Sequence, residues 1–297
     1  MDRWTKAAAA APAKFTFFLS MVYLLDPAQA SKYQGPGHAA GESAIGFAPS
    51  KNQPVGEYLV TTIRGFQAAQ RAGHELSTHF GGHWCGTNGV RKWGAADWAA
   101  ELDATWPLAT QVDANNGLNP PVGNPFLQPP IGARTPCLDG NLSLLDPVLA
   151  QRGFRYDASA TRNLADWPKQ SGGVWSFGFP SISVQGAKVP LLAVDYSLDQ
   201  NLKGMSKAQV EQRVYDGYVD AFNRVYSGNR APLELANHFT SLGGDAYNRA
   251  VERFVATVCP KPEVHCSTYR EVTEWLDAHV DALPGFATSR FTTTAAA

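Results

Sequence analysis

The segment Gly73-His74-Glu75-Leu76-Ser77-Thr78-His79-Phe80-Gly81-Gly82-His83-Trp84-Cys85-Gly86 opens on a helix-stopping glycine, alternates briefly between apolar and polar residues, and then places His79 and His83 four residues apart. On a helix that spacing would put both rings on one face. Here Gly81 and Gly82 stand between them and Gly86 follows, so the segment reads as a strand running into a loop. Glycine lets such a loop turn tightly enough to aim both rings at one ion. Neutral imidazole is a common ligand of zinc and its first-row neighbours. A bare pair at this spacing fits two unrelated histidines equally well, because the pattern alone names no chemistry.

Upstream, 57–72 is amphipathic, with Leu59, Ile63, Phe66 and Ala69 or Gln70 at helical spacing, and Gly73 ends it. The run 14–20 (Lys-Phe-Thr-Phe-Phe-Leu-Ser) is short and apolar, which suits a buried strand after a helix over 2–11. The same residues carry a rival reading as a secretory signal over 1–30. Arg3 and Lys6 would precede the apolar run 15–25, and Ala28-Gln29-Ala30 would be the cleavage site; Asp2 and Lys14 fit this poorly. No other segment is long and apolar enough to span a bilayer.

Downstream, 95–106 is expected to be helical with Trp98, Leu102 and Trp106 on one face, and 114–133, dense in Asn, Gly and Pro, to be a long irregular loop. A helix over 143–152 leads to strands at 154–157, 175–180 and 190–196. Ser206 and Gln209 have capping-box spacing at the start of a long helix whose stripe is Val210, Val214, Tyr218, Phe222 and Val225. Then come a strand at 232–238, a helix over 245–258, a short strand at 264–266 and a last helix that Thr268 and Glu271 cap. This alternation implies an α/β fold with a mainly parallel sheet, open or closed into a barrel. With no internal repeat and no linker, 1–285 reads as one domain, followed by a disordered Thr/Ala-rich tail over 286–297. Reactive groups in such folds collect where strands end, and His79, His83, Arg134, Asp195 and His238 all fall at expected strand ends.

With 297 residues, 44% of them apolar, the chain can build a substantial core, and its net charge of -1 with no basic run gives no reason to expect nucleic acid. Eight tryptophans and ten tyrosines could be core or could form flat platforms for sugar rings. The four cysteines suggest two bridges and an oxidising compartment, and a bridge between Cys259 and Cys266 would close a short loop. Four free thiols are the alternative; without a C-x-x-C pair a cysteine zinc site is disfavoured.

In sequence order, 14–19, the histidine segment, Gly132-Ala133-Arg134-Thr135-Pro136-Cys137, Asp195-Tyr196 and Leu235-Ala236-Asn237-His238 resemble successive motifs of the NodB-like polysaccharide deacetylases (carbohydrate esterase family 4). The stretches 246–259 and 264–269 are similar to a secreted branch of that family. The resemblance implies a distorted (β/α) barrel, here incomplete, and a divalent metal: zinc, or cobalt, nickel or manganese. It implies removal of acetyl groups from an N-acetylated or O-acetylated polysaccharide (chitin-like, peptidoglycan or xylan), and a secreted or cell-wall location without stable membrane insertion. Carried over by position, His79 and His83 would hold the metal and the backbone N–H of Cys137 would stabilise the oxyanion. Arg134 would orient the catalytic base, and His238 would be the general acid supported by Asp195. Cys137 departs from the tyrosine common in the family and fits a bridge to Cys85 that would pin the histidine loop to the arginine loop. The family's Asp-Asp motif, source of the base and a third ligand, would precede Asp2. Asp26, Asp139 and Asp195 are the spare acids, and none is expected to replace it. The simplest expectation is that the sequence starts late, at an internal Met1. The alternative function is a non-catalytic carbohydrate-binding remnant that keeps aromatics such as Trp84, Trp93 and Trp175. His74 is expected to be structural, His38 and His279 to be surface groups, and His265 to pack between cysteines.

Overall fold

The computed structural model describes residues 2–49 and 53–290. In chain order it contains α1 (Asp2–Ala10), β1 (Thr16–Leu19), α2 (Val55–Arg71), β2 (Glu75–Thr78), α3 (Ala95–Thr110), α4 (Val112–Asn116), β3 (Gly132–Ala133), α5 (Leu142–Gln151) and β4 (Tyr156–Arg162). Next come β5 (Lys169–Ser171), β6 (Val174–Ile182), β7 (Leu191–Leu192), α6 (Asp195–Asn201), α7 (Lys207–Tyr226), α8 (Ala246–Val258), α9 (Tyr269–Ala278) and α10 (Leu283–Thr288).

The strands form one sheet in the order β1-β2-β3-β4-β6-β5, with β7 paired to β6. Pairing from β1 through β6 is parallel, while β5 and β7 run antiparallel to β6. The sheet curls into a half-barrel flanked by helices, an incomplete distorted α/β barrel. Isolated parallel bridges, Ala13 with Cys266 and Val194 with Ala236, carry the curl beyond the ladder.

Side-chain period explains the layering. In β1, Phe17 and Leu19 point into the main apolar core with Leu59, Ile63 and Phe66 of α2, while Thr16 and Phe18 face the concave side. The long helix α7 buries the expected stripe, Val210, Val214, Tyr218, Phe222 and Val225, and packs against α8. The capping boxes at Ser206 and Thr268 form as their spacing implied.

Several boundaries differ from the sequence reading. The segment 190–196 is not one strand: β7 stops at Leu192 and Asp195 opens α6, where a carboxylate suits the helix N-terminus. The segment 232–238 pairs only at the Ala236 bridge and forms no ladder; Pro232 has no N–H to contribute. The first strand after α5 starts at Tyr156 rather than 154 and runs on to Arg162. Helix α3 continues through Pro107 to Thr110, and Trp106 is 37% exposed instead of sharing the buried face of Trp98 and Leu102. The loop expected from 114 begins with helix α4. The β5–β6 hairpin went unread, although Gly172-Gly173, both at positive φ, is a hairpin turn signal. Phe286, where the tail was expected to begin, lies in α10 and stacks on Trp167, and 291–297 of that expected tail lie outside the described residues. The N-terminal segment is a helix and a strand of the sheet, as one of its two readings held.

Candidate active site at the strand ends

Parallel strands deliver their C-terminal ends to one edge of the sheet, and the ladder continues one residue past each. His79 donates its N–H to Leu19 O (2.8 Å) and Arg134 donates its N–H to Thr78 O (3.0 Å). The histidine loop and the arginine loop therefore start side by side. Both disulfides form, Cys85–Cys137 and Cys259–Cys266, and the first ties these two loops together. Phe80, His83, Cys137 and Leu138 all adopt positive φ, so backbone strain concentrates at this edge.

His79 is half-buried, and its Nδ1 lies 2.7 Å from Arg134 O. A carbonyl only accepts, so Nδ1 carries the proton and Nε2 keeps its lone pair. Burial, reinforced by His83, lowers the imidazole pKa to about 3, so the ring is neutral. His83 is shifted the same way, again chiefly by burial. The two rings meet edge to face with centroids 4.9 Å apart. Two neutral imidazoles, one with its tautomer fixed by a carbonyl, fit two donors of a first-row divalent site. The donor set stops there. Among the described residues, the single trio with ligand atoms within 4.8 Å is His83, Cys85 and Cys137, and its sulfurs are bonded to each other.

Asp195 and His238 come together through the Val194–Ala236 bridge. The fully buried Asp195 carboxylate accepts the backbone N–H of His238 (2.9 Å), its Nδ1–H (2.6 Å) and the Tyr196 N–H (2.8 Å). That bond to Asp195 is the main reason His238 has a raised pKa, burial opposing it. The His238 side chain is 53% exposed, with Nδ1 held by Asp195. His238 is also near enough to His79 and His83 to help depress both.

The Arg134 side chain is enclosed by aromatic rings and hydrogen-bond acceptors. Its guanidinium lies over Phe18 (4.0 Å) and Phe179 (4.5 Å), and donates to Ala158 O (3.0 Å) and Tyr269 Oη (2.8 Å). Tyr269 in turn donates to Glu234 (2.7 Å), which also accepts the Gly178 N–H (2.9 Å). The side chain is committed to this cage, and what reaches the histidines is its main-chain carbonyl. Cys137 is exposed at the loop tip. Asp139 caps that turn, accepting from Gly86 N–H (3.1 Å) and pairing with Arg91, while Asp26 caps a turn through Ala28 N–H (2.8 Å).

The aromatic expectation needs correction. Trp93 (6% exposed) and Trp175 (4%) are core residues, unusable as sugar platforms, and Trp84 is covered by the His38 ring stacked at 3.4 Å. The exposed rings beside His238 are Tyr196 and Phe239, at 57% and 55%. His74 is structural as expected: its Nδ1 accepts the Phe15 N–H (3.0 Å) and its ring stacks on Phe15. His279 is exposed as expected and stacks on Trp275, whereas the His38 side chain is only 9% exposed, laid against Trp84. The supporting residues Tyr33, Glu101, Asp157, Glu234 and Tyr269 escaped the sequence reading. They are distant in sequence from the loops they brace, and only the Gly81-Gly82 pair hinted at a tight approach.

No family model and no curated relative matches the sequence. Solved structures do. A protein from Mycobacterium smegmatis, provisionally named a polysaccharide deacetylase, superposes over 99% of this chain and 79% of its own length, with a TM-score of 0.56 and 16% identity. A protein from Parabacteroides distasonis, provisionally named a glycoside hydrolase/deacetylase, matches over 93% of this chain but 63% of its own length, with a TM-score of 0.54 and 11% identity. At these identities the likeness is one of fold. The chain has the distorted α/β-barrel fold of the polysaccharide deacetylases.

Proposed function

We propose that the chain is a metal-dependent hydrolase that removes acetyl groups from an N-acetylated or O-acetylated polysaccharide. The observation that carries this reading is the pairing, at one sheet edge, of two neutral imidazoles with a carboxylate-supported histidine of raised pKa. Perturbed pKa values of opposite direction in neighbouring groups are what acid–base chemistry needs. His79, through Nε2, and His83 would hold the ion. Once bound there, a divalent ion, zinc or a neighbour such as cobalt, nickel or manganese, supplies Lewis-acid polarisation of the acetyl carbonyl and lowers the pKa of a water.

The chain's own groups serve the leaving group, the oxyanion and the ligand tautomer. Asp195 fixes Nδ1–H of His238 and stabilises the imidazolium, so the transferable proton sits on Nε2, ready for the leaving amine or alcohol. The Cys137 N–H, on a turn locked by the bridge to Cys85, is the candidate oxyanion donor. Arg134 serves through its backbone, which sets the His79 tautomer. A polysaccharide substrate agrees with an open site flanked by Tyr196 and Phe239. Two disulfides, and the absence among the described residues of a helix long and apolar enough to cross a membrane, are compatible with a secreted or cell-wall place.

The two-imidazole donor set favours one alternative, a carbohydrate-binding protein of the same fold without turnover. Acetate release from chitin oligomers, peptidoglycan or acetylated xylan, measured with added zinc or cobalt and with chelator, separates the two. Metal-dependent release abolished by His83→Ala supports the hydrolase; glycan binding with no release supports the alternative.

A further inference from the structure

Between His79 and His83 the chain makes a turn that is held from inside the protein. Helix α3 places Glu101, fully buried, beneath it. The Glu101 carboxylate accepts the Gly81 N–H (2.9 Å) and the Tyr33 hydroxyl (3.0 Å). Tyr33 Oη, itself fully buried, accepts the Gly82 N–H (2.8 Å) and the Trp84 indole N–H (3.1 Å). The carbonyls are taken as well: Phe80 O by Met21 N–H (2.7 Å) and Gly82 O by Ala44 N–H (2.9 Å).

The fit admits no side chain. A Cβ on Gly81 would lie 2.3 Å from Thr105 Cγ2 and 2.6 Å from Tyr33 Cε2, and one on Gly82 would lie 2.6 Å from Tyr33 Oη. On either side of the glycines, Phe80 and His83 are both at positive φ, a conformation that L-residues keep only when their surroundings enforce it. A buried carboxyl group and a buried phenol, both spent on one four-residue turn, are more than packing requires, since an apolar filler would avoid burying two polar groups.

We propose that Glu101 and Tyr33 are positioning residues that set the separation and orientation of the His79 and His83 rings. That the rings are metal ligands rests on the function proposed above; that the clamp orients them does not.

The experiment compares Glu101→Gln, Glu101→Leu and Tyr33→Phe with the unaltered chain, each first shown to be folded by circular dichroism. Imidazole NMR reports the His79 tautomer and the contact between the two rings without any metal. Cobalt(II) titration then reports affinity and, through the visible spectrum, coordination geometry. The expected result is that Glu101→Leu and Tyr33→Phe shift the His79 and His83 resonances while leaving those of His279 in place. Both should weaken cobalt binding about tenfold or more, the scale for losing support behind a metal ligand. Glu101→Gln, which retains an acceptor for Gly81, should recover much of the loss. A purely structural role would lower stability but leave the resonances, affinity and spectrum of the folded protein unchanged, and that outcome overturns the proposal. If Glu101→Leu does not fold, Tyr33→Phe decides. If the unaltered chain binds no cobalt, the metal reading falls and the NMR comparison still settles the clamp.

Discussion

Replacing Asp157 with asparagine should make the protein's stability less dependent on pH, by an amount that the structure fixes. Asp157 is fully buried in β4. One oxygen accepts from the Ser159 hydroxyl, which accepts the Thr135 N–H (2.8 Å), so the residue braces the arginine loop from below. Its other oxygen has no hydrogen-bond partner among the described residues. Burial, with the neighbouring charge of Asp146 adding, pushes the carboxyl up to about 8 from its ordinary 3.8. The folded state then holds a proton that the unfolded chain releases, so this contribution is complete below about pH 4 and is lost as pH rises toward about 8. Within that window each pH unit removes about 1.4 kcal/mol through this one group. Asparagine keeps the shape and the acceptor for Ser159 and has no proton to lose. The stability of Asp157→Asn relative to the parent should therefore climb by roughly 2–3 kcal/mol between about pH 5 and about pH 7. Urea unfolding followed by tryptophan fluorescence at several pH values measures it. Because two nearby acids titrate as a pair, Asp146→Asn is run alongside. If the difference from the parent is flat with pH in both variants, neither group holds a proton in the folded state and the reasoning is wrong.

Gly132→Ala should be severe, since its Cβ would fall 1.7 Å from Tyr156 Cζ. That ring is pinned by hydrogen bonds to Ser77 (2.7 Å) and Glu75 (3.0 Å), so the loss should reach or exceed the usual overpacking cost of about 1–3 kcal/mol; an unchanged melting temperature would contradict this. The two bridges should contribute unequally. Loop-closure entropy gives about 4 kcal/mol for Cys85–Cys137, with 52 residues of separation, and about 2 kcal/mol for Cys259–Cys266, with 7, so the paired serine variants should rank in that order by urea midpoint. Asp195→Asn should lower the pKa of His238, because the carboxylate bond is the leading cause of its elevation. The sign follows: His238 loses its proton at lower pH, and the basic limb of any deacetylase pH profile moves toward acid. Histidine NMR titration checks it, and an unmoved His238 resonance refutes the assignment.

Much of this molecule was legible in the sequence because local physics wrote it. The period of 3.6 through Val210, Val214, Tyr218, Phe222 and Val225 fixed α7, and side-chain caps at Ser206 and Thr268 fixed where α7 and α9 begin. Those signals need only near neighbours. The alternation of strand and helix set the fold class, and the places of His79 and Arg134 just after β2 and β3 put them side by side at one sheet edge, because parallel strands send their C-terminal ends the same way. Tertiary structure alone decided what surrounds them. It sent Trp93 and Trp175 into the core and put the Arg134 guanidinium between Phe18 and Phe179. It also brought Glu101 and Tyr33 under Gly81-Gly82 from elsewhere in the chain. Burial and desolvation, which set the charge states of His79, Asp157 and Glu101, come from atoms far apart in the sequence. Sequence order carries the identity of a reactive group, whereas its pKa and its tautomer belong to the packing.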